Sequence, residues 1–175
     1  MDSSFFLDKL YPFQDAALRL IHDAKTGFYL SGGTAASRGY LHHRFSEDLD
    51  FFVNDAEEFS LWADRILEPF SQVASWQRQV LQKEERFVRF EVHSADVVLR
   101  IELVNDVPSH VGNIIEHPVL GRLDSAENIL ANKITAVIDR DEPKDLADIW
   151  GFCTKIGLSL NDAIEGAQGK LGLRT

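Results

Sequence analysis

The sequence predicts a single α/β domain. Helical and strand patterns follow one another in the order helix, strand, helix, strand, helix, several strands and then helices, as in a sheet flanked by helices. The chain has 175 residues, 45% hydrophobic and 26% charged, which is typical of a globular protein with one core. No internal repeat or low-complexity linker divides it. We therefore expect one domain over residues 1–175, with a core over about 12–122 and C-terminal helices over about 124–170.

The patterns are clearest in the first half of the chain. Apolar residues recur at helical spacing in two segments, a third segment between them resembles a short helix, and the intervening aromatic and β-branched runs are typical of buried strands. The first strand runs into Gly32-Gly33, which predicts a tight turn, and the start of the third helix is expected to be capped near Asn54 or Asp55. The predicted elements are helices over residues 12–25, 34–42 and 56–74 and strands over residues 28–30 and 49–53.

Three further strands are predicted in the second half, over residues 77–81, 87–93 and 97–104. The last two alternate between apolar and polar residues, so each has one face for the core and one for solvent. The proline- and glycine-containing segment 105–122 is expected to be a loop with one short strand. Two helices are expected to close the chain, one over about 124–140 and one beginning at Pro143.

Composition limits the classes of function. A single cysteine, Cys153, excludes an internal disulfide and a cysteine-based zinc site. No apolar run is long enough to cross a bilayer, and the amino terminus lacks the features of a signal peptide, so we expect a cytoplasmic protein with no membrane partner. The formal net charge of −10 disfavours binding nucleic acid mainly through its phosphates, and a small metal-chelated nucleotide fits this charge better.

Two carboxylates near the second strand are the first candidate for chemistry. Asp48 and Asp50 are two residues apart, so on a strand their side chains point to the same side, about 7 Å apart. Such a pair is often only a polar strand end. Carboxylates aimed at one place can also hold a pair of magnesium ions, which would bind a triphosphate and lower the pKa of an attacking hydroxyl.

The glycine pair supplies a complementary feature. Gly32 and Gly33 lack a Cβ atom, so the chain can bend and bring backbone N–H groups close to phosphate oxygens. The hydroxyls of Ser31 and Thr34 and the helix that begins near Thr34 would add further donors. Alone, a Gly-Gly pair is usually a turn, but strand, Gly-Gly, helix, strand and Asp-x-Asp in this order make a more specific combination.

These residues carry a family resemblance. The string GGTAASRGYLHHRFSEDLDFF, residues 32–52, resembles the signature of the AbiEii/AbiGii toxin family in the nucleotidyltransferase superfamily, and the resemblance extends to residues 127–133 and 140–148. It implies a nucleotidyltransferase (polymerase-β-like) fold, with a mixed sheet, flanking helices and a short C-terminal helical part. It also implies that Gly32 and Gly33 hold the triphosphate of an NTP, and that Asp48 and Asp50 hold Mg²⁺ or Mn²⁺.

The superfamily pattern includes a third acid on a neighbouring strand. We assign it to Glu102, which lies on the polar face of an otherwise apolar strand and would be both a metal ligand and a catalytic residue. Family members often have aspartate there, so the longer glutamate is a departure. Glu91 is the competing candidate. The alternative is a solvated strand face on which Arg89 and Arg100 pair with these acids.

Cations complete the expected site. The resemblance implies that Lys133 neutralises nucleotide phosphate and that Arg44 meets the γ-phosphate, while Thr34 and Ser46 are the remaining nucleotide-binding candidates. Adjacent histidines on a helix point about 100° apart, so His42 and His43 are not expected to share a metal, and His43 is expected at the surface or in contact with nucleotide. Arg140, Asp145 and Asp148 are candidates either for the site or for an ion-pair cluster that joins the last two helices, and for Arg140 and Asp145 we favour the structural role.

Together these features predict a metal-dependent nucleotidyltransferase that moves a nucleoside monophosphate from an NTP to a hydroxyl acceptor. The resemblance further implies a toxin of a toxin–antitoxin or phage-defence system, with a cognate antitoxin and with a transfer RNA or a protein as acceptor. The alternative is a catalytically inactive module that binds nucleotide or another protein. A third hypothesis is a purely structural subunit that binds no nucleotide.

Overall fold

The computed structural model describes residues 3–172 and contains a seven-stranded mixed sheet with helices packed against it. Segments of π-helix at Phe6–Leu10, Ala35–Leu41 and Phe152–Ile156 continue three of the helices. The helices are α1 (Ser3–Phe5), α2 (Tyr11–Asp23), α3 (Gly32–Thr34), α4 (Phe59–Phe70), α5 (Ala126–Asp139), α6 (Pro143–Gly151) and α7 (Leu160–Lys170). The strands are β1 (Tyr29–Ser31), β2 (Leu49–Asn54), β3 (Gln77–Lys83), β4 (Phe87–Ser94), β5 (Val97–Asp106), β6 (Ile115–His117) and β7 (Gly121–Leu123).

The sheet brings together strands that are far apart in the chain. Its order is β3-β4-β5-β2-β1-β7-β6. Strand β2 pairs with β1 in antiparallel and with β5 in parallel orientation, and β7 is parallel to β1. The central strands β1, β2 and β5 therefore present their side chains next to one another on each face of the sheet.

One face of the sheet forms the core. Along β5 the side chains alternate, and Val97, Leu99, Ile101 and Leu103 are at most 7% exposed whereas Val98 is 48% exposed. Helix α4 packs on the buried face, where the Phe70 ring lies 5.3 Å from that of Phe90. The opposite face of the central strands carries polar side chains and is the one that matters for the site.

The strands and helices predicted from the sequence are confirmed, with differences at three places. The C-terminal part contains three helices rather than two. The chain makes a left-handed turn at Gly157 after α6 and its π-helical continuation, and then forms α7. Two short strands, β6 and β7, replace the single strand expected between 105 and 122. The N-cap of α4 is Glu58, not Asn54 or Asp55, and its side chain makes no capping hydrogen bond. Among residues 3–172, no helix is both long and apolar enough to cross a membrane.

Candidate active site

A cleft of about 1020 Å³ opens on the polar face of the central strands. Residues of β1, β2 and β5 and of helices α5 and α6 line it, together with the loop that leads from His42 to Asp48. Both basic and acidic side chains face the cleft. The acidic ones are Glu47, Asp48, Asp50, Glu102, Asp106 and Asp139.

Gly32 and Gly33 form the part of the cleft where β1 turns into α3. Gly32 has a φ of +67°, and a Cβ atom built on it would lie 2.3 Å from Oδ2 of Asp50. A Cβ on Gly33 would lie 2.8 Å from Nη2 of Arg44. The glycine pair therefore does more than permit a turn, because it lets the backbone approach the two side chains directly.

We expect Gly32→Ala to disturb the site more than its backbone strain alone would. Gly157 provides a matched control, because its φ of +80° is similar and nothing lies within 4 Å of a Cβ there. Alanine at either position costs about 1–2 kcal/mol for the left-handed conformation. Only Gly32→Ala also displaces the Asp50 carboxylate, so it should weaken the nucleotide binding that the family resemblance implies by about tenfold or more. Equal effects of the two substitutions on stability and nucleotide binding would contradict the importance of this contact.

The strand register places the candidate carboxylates together. Asp50 is paired with Ser31 on one side and with Glu102 on the other, and Asp48 immediately precedes β2. Burial and then the negative charges of Glu102 and Asp48 raise the pKa of Asp50 to about 7. The pKa of Asp48 is also raised by burial, with Arg100 opposing and Glu102 adding to the effect. Burial is therefore the main reason that both aspartates resist ionisation, and the neighbouring carboxylates add to it.

Glu102 is engaged by a neighbouring strand. Its Oε1 accepts a hydrogen bond from Nε of Arg89 at 2.7 Å. Glu91, the competing candidate, lies on β4, beyond β5 from Asp50, and accepts from Arg100 at 3.1 Å. Register therefore brings Glu102, and not Glu91, next to Asp50, although Arg89 and Arg100 pair with these acids as the alternative interpretation anticipated.

The donors at this place fit a divalent cation in chemistry. Asp48 and Asp50 offer hard carboxylate oxygens to the cleft, and the pKa of Asp50 is raised first by burial and then by the negative charges of Glu102 and Asp48, both of which a bound cation would offset. Within residues 3–172, however, no group of three or more His, Cys, Asp or Glu side chains is already arranged around one ion. Metal binding would therefore use the two aspartates first, and Glu102 could join through Oε2, since its bond to Arg89 uses Oε1.

Behind the cleft lies a buried ion-pair cluster. The carboxylates of Asp145 and Asp148 on α6 are completely buried. Nζ of Lys133 lies 2.7 Å from Oδ1 of Asp145 and 3.0 Å from Oδ2 of Asp148. Arg140 donates to Asp145 from Nε at 2.8 Å. The expected cluster of Arg140, Asp145 and Asp148 is confirmed, and it also contains Lys133.

The same cluster holds Arg44. Its Nε and Nη2 donate to the two oxygens of Asp148 at 2.8 and 2.7 Å, and Nε2 of His43 lies 2.8 Å from Oδ1. Arg44 and Lys133 both line the cleft, so each presents a cation to it while bound to a carboxylate. Their expected contacts with phosphate remain predictions. His43 contacts Asp148, and His42 is exposed.

The two hydroxyl candidates have different positions. Ser46 lines the cleft. Thr34 is fully buried and is not part of the cleft wall. The Thr34 hydroxyl donates to the backbone carbonyl of Asp48, and its oxygen lies 2.9 Å from Oγ of Ser46. The structure therefore gives Thr34 a role in positioning Asp48, in place of the direct contact with triphosphate that the sequence suggested.

Two lysines of the cleft were not singled out from the sequence. The side chain of Lys144, in the first turn of α6, is exposed and makes no hydrogen bond or ion pair with any residue of 3–172. Its charge lowers the pKa of both Asp48 and Asp50. Lys170, on the unforeseen helix α7, donates to the carbonyl of Ser109 at 2.9 Å. The only signal for Lys144 was its place in the charged string 140–148.

The amino-acid sequence matches a family model. The model, described as nucleotidyl transferase AbiEii toxin of a type IV toxin–antitoxin system, aligns with residues 17–168. No curated protein matches the chain.

Solved structures resemble the fold. A protein of H. pylori described as a nucleotidyltransferase superposes with a TM-score of 0.63 at 22% identity, covering 89% of this chain and 73% of that one. JHP933 of Helicobacter pylori superposes with a TM-score of 0.62 at 20% identity, and the alignment covers 99% of this chain and 80% of JHP933. MenT4, a nucleotidyltransferase toxin of Mycobacterium tuberculosis, superposes with a TM-score of 0.58 at 19% identity, and the alignment covers 87% of this chain and 69% of MenT4. The expected nucleotidyltransferase fold is therefore confirmed.

Proposed function

The chain belongs to the AbiEii nucleotidyltransferase toxin family, and from this membership we propose that it transfers a nucleoside monophosphate from an NTP to a hydroxyl acceptor in a metal-dependent reaction. The observation that carries the proposal is the group formed by Gly32, Asp48, Asp50 and Glu102 at one end of the cleft. Three acids close to a backbone turn without a side chain form a place for a chelated triphosphate.

In the proposed reaction the acceptor oxygen forms a bond to the α-phosphorus and the bond from that phosphorus to the bridging oxygen breaks, so pyrophosphate leaves. Gly32 and Gly33 hold the triphosphate through backbone N–H groups, while Lys133 and Arg44 face its negative charge. Glu102 accepts the proton of the acceptor hydroxyl. A divalent cation bound by Asp48 and Asp50 would supply charge neutralisation and a lowered hydroxyl pKa.

Transfer can be tested directly on the purified protein. The protein is incubated with each of the four α-³²P-labelled ribonucleoside triphosphates and Mg²⁺, with total RNA or with protein as acceptor, and EDTA in parallel. We expect label in one acceptor class, pyrophosphate release, and loss of both with EDTA. Absence of label and of pyrophosphate with every nucleotide and acceptor would reject the proposal.

One observation favours the second candidate, a nucleotide-binding module without catalysis. Oε1 of Glu102 is bound to the Arg89 guanidinium, a cation that weakens the third carboxylate as a base. Arg89→Met separates the two hypotheses, because it removes the partner of Glu102 without touching the cleft aspartates. An active enzyme should change its rate in this variant. Magnesium-dependent nucleotide binding with no pyrophosphate release in either protein would favour the inactive module.

The family also suggests the biological setting. Its description as a type IV toxin leads us to propose an antitoxin partner and action in the cytoplasm, with a transfer RNA or a protein as the acceptor. Co-expression of the chain with neighbouring genes of its source provides the test. Growth arrest by the wild-type chain, relieved by one of them, is the expected result.

Lys144 offers a sharper test of the cleft. Arg44, Lys133 and Arg140 face the cleft while each is bound to Asp145 or Asp148, whereas the Lys144 ammonium has no such partner among residues 3–172. Lys144 is therefore expected to offer a triphosphate the least compensated charge of this group. We expect Lys144→Met to raise the KM for NTP about tenfold, the cost of one charge-assisted contact. The exposed Lys155, which does not line the cleft, gives the control Lys155→Met. Equal KM values for wild type and Lys144→Met would contradict this role.

A further inference from the structure

A second pocket, of about 540 Å³, lies beside the cleft and shares Arg44 and Phe45 with it. Its wall contains two arginines and three histidines. Among the described residues that line it there is no aspartate or glutamate, whereas six acids line the cleft. The five basic residues are Arg38, His42, His43, Arg44 and His117.

The contrast between the two cavities has a chemical consequence. The cleft collects carboxylates and therefore needs a cation before it can accept an anion. The second pocket has no acid among its described lining residues, although Arg38 is paired with Asp15 and Arg44 with Asp148 outside that lining. Each guanidinium keeps N–H donors beyond these contacts, so the pocket can accept an anion without a metal. A local site of this kind is compatible with a chain whose formal net charge is −10, because an anion in a pocket responds mainly to the nearest charges.

Arg38 is held rigidly in this wall. Its Nη2 donates to Asp15 at 2.7 Å, its Nη1 donates to Gln14 at 3.0 Å, and the guanidinium carbon lies 4.3 Å from the centre of the Tyr11 ring. The guanidinium is planar and has five N–H donors, of which these contacts use two. The remaining donors are fixed in direction before any ligand arrives, which reduces the entropy lost on binding.

His117 adds a donor that does not depend on protonation. Its Nδ1 accepts hydrogen bonds from the backbone N–H groups of Val119 and Leu120 at 3.1 and 3.0 Å. In the neutral ring the proton must then be on Nε2. Burial, followed by the positive charges of Arg38 and His42, lowers the pKa of His117. Burial is the larger cause, and the contribution of the two nearby positive charges agrees with a pocket suited to an anion.

We propose that the second pocket binds a phosphate group, at a site separate from the triphosphate cleft. The phosphate has two chemical sources, a phosphodiester of a polynucleotide or free inorganic phosphate. If the transfer reaction of the proposed function holds, a polynucleotide bound here would lie beside the triphosphate across Arg44 and Phe45. Phosphate binding itself does not require that reaction, so the two proposals can fail independently.

The test follows the histidine side-chain signals of the ¹⁵N-labelled full chain by NMR during titration with inorganic phosphate, and separately with a five-nucleotide RNA. The pocket variants are Arg38→Met and His42→Asn. His42 is exposed with a φ of +51°, a conformation that asparagine adopts readily, so this variant should fold even if Arg38→Met does not. The control is Arg19→Met, which removes the same charge from an exposed position of α2 outside both cavities.

Shifts of the His42, His43 and His117 signals are expected with wild type and Arg19→Met, with affinity about tenfold weaker in Arg38→Met. Tighter binding of the RNA than of phosphate identifies a polynucleotide as the source, and equal affinity identifies free phosphate. Absence of shifts, or equal affinity in all folded variants, would overturn the proposal. Displacement of the phosphate by magnesium and NTP would also overturn it, since one site would then serve both.

Discussion

Asp50→Asn is expected to abolish nucleotidyl transfer and, in the absence of metal, to make the protein more stable. Both effects have one cause, the half-buried carboxylate that lies beside Glu102 and Asp48. In the proposed reaction the ionised carboxylate is needed to bind the cation. Without a cation, its burial beside two other acids lowers the free energy of unfolding. We expect transfer to fall at least about a hundredfold, as for loss of a group that stabilises transition-state charge.

The stabilisation should depend on pH in a defined direction. In the folded protein the pKa of Asp50 is about 7, whereas in the unfolded chain it is ordinary, about 4. Between these values the folded state binds more protons, so the free energy of unfolding of wild type decreases as pH rises from about 4 to about 7. Above about pH 7 the full cost is present, and asparagine removes it.

Thermal unfolding in EDTA measures this effect. At pH 8 Asp50→Asn should gain about 2 kcal/mol, since solvent in the cleft screens part of the charge, which corresponds to a Tm rise of about 4–8 °C. At pH 4 the difference should vanish. Asp64→Asn, at an exposed position of α4, is the control and should change little at either pH. Added Mg²⁺ should raise the Tm of wild type only, and a variant less stable than wild type at pH 8 would contradict the interpretation.

Local sequence pattern was sufficient to predict the Gly32-Gly33 turn and the strand that carries Asp50. The alternation along β5 depends only on neighbouring residues, so it identified both the buried face and the polar face with Glu102. The parallel pairing of β2 with β5, which sets Asp50 beside Glu102, joins residues about fifty positions apart. No periodicity within either strand encodes that pairing.

The ion pair of Arg44 was beyond the sequence for the same reason. Arg44 and Asp148 are 104 positions apart, and the resemblance suggested phosphate, not a carboxylate, as the partner of Arg44. Helix α7 was missed because it contains Gly166 and Gly169 and is polar on much of its surface. It forms through packing on α5, where a Cβ on Gly166 would lie 3.4 Å from that of Ala131.

Asp148→Ala is expected to cause the largest loss of stability among the changes considered. The carboxylate is completely buried and is shared by Arg44, Lys133 and His43, which come from the cleft loop and α5. Removing this carboxylate leaves Arg44 and Lys133 without one of the negative charges that neutralise them, in a place with little access to water. Breaking a buried ion pair in this way typically costs about 3–5 kcal/mol, or a Tm decrease of about 6–20 °C for a chain of this size.

The pH dependence of this loss has the opposite sign to that of Asp50. Burial opposes ionisation of Asp148, but the hydrogen bond from Arg44 and the charge of Lys133 hold its pKa below the usual range. A depressed pKa contributes stability that is present above about pH 4 and is lost as pH falls through the folded-state value. The difference in free energy of unfolding between wild type and Asp148→Ala should therefore be largest at pH 7 and should decrease towards pH 3.

The matched control is Asp64→Ala. It breaks an ion pair of similar length, 2.6 Å to Lys83, whose side chains are 62% and 48% exposed. An exposed pair contributes less than about 1 kcal/mol, so the two alanine variants should differ severalfold in their loss of unfolding free energy, measured by urea denaturation at pH 7. Comparable losses would mean that the cluster behind the cleft does not hold α6 to the site. A larger loss for Asp148→Ala, together with weaker nucleotide binding, would mean that the cluster fixes Arg44 against Gly33 as well as stabilising the fold.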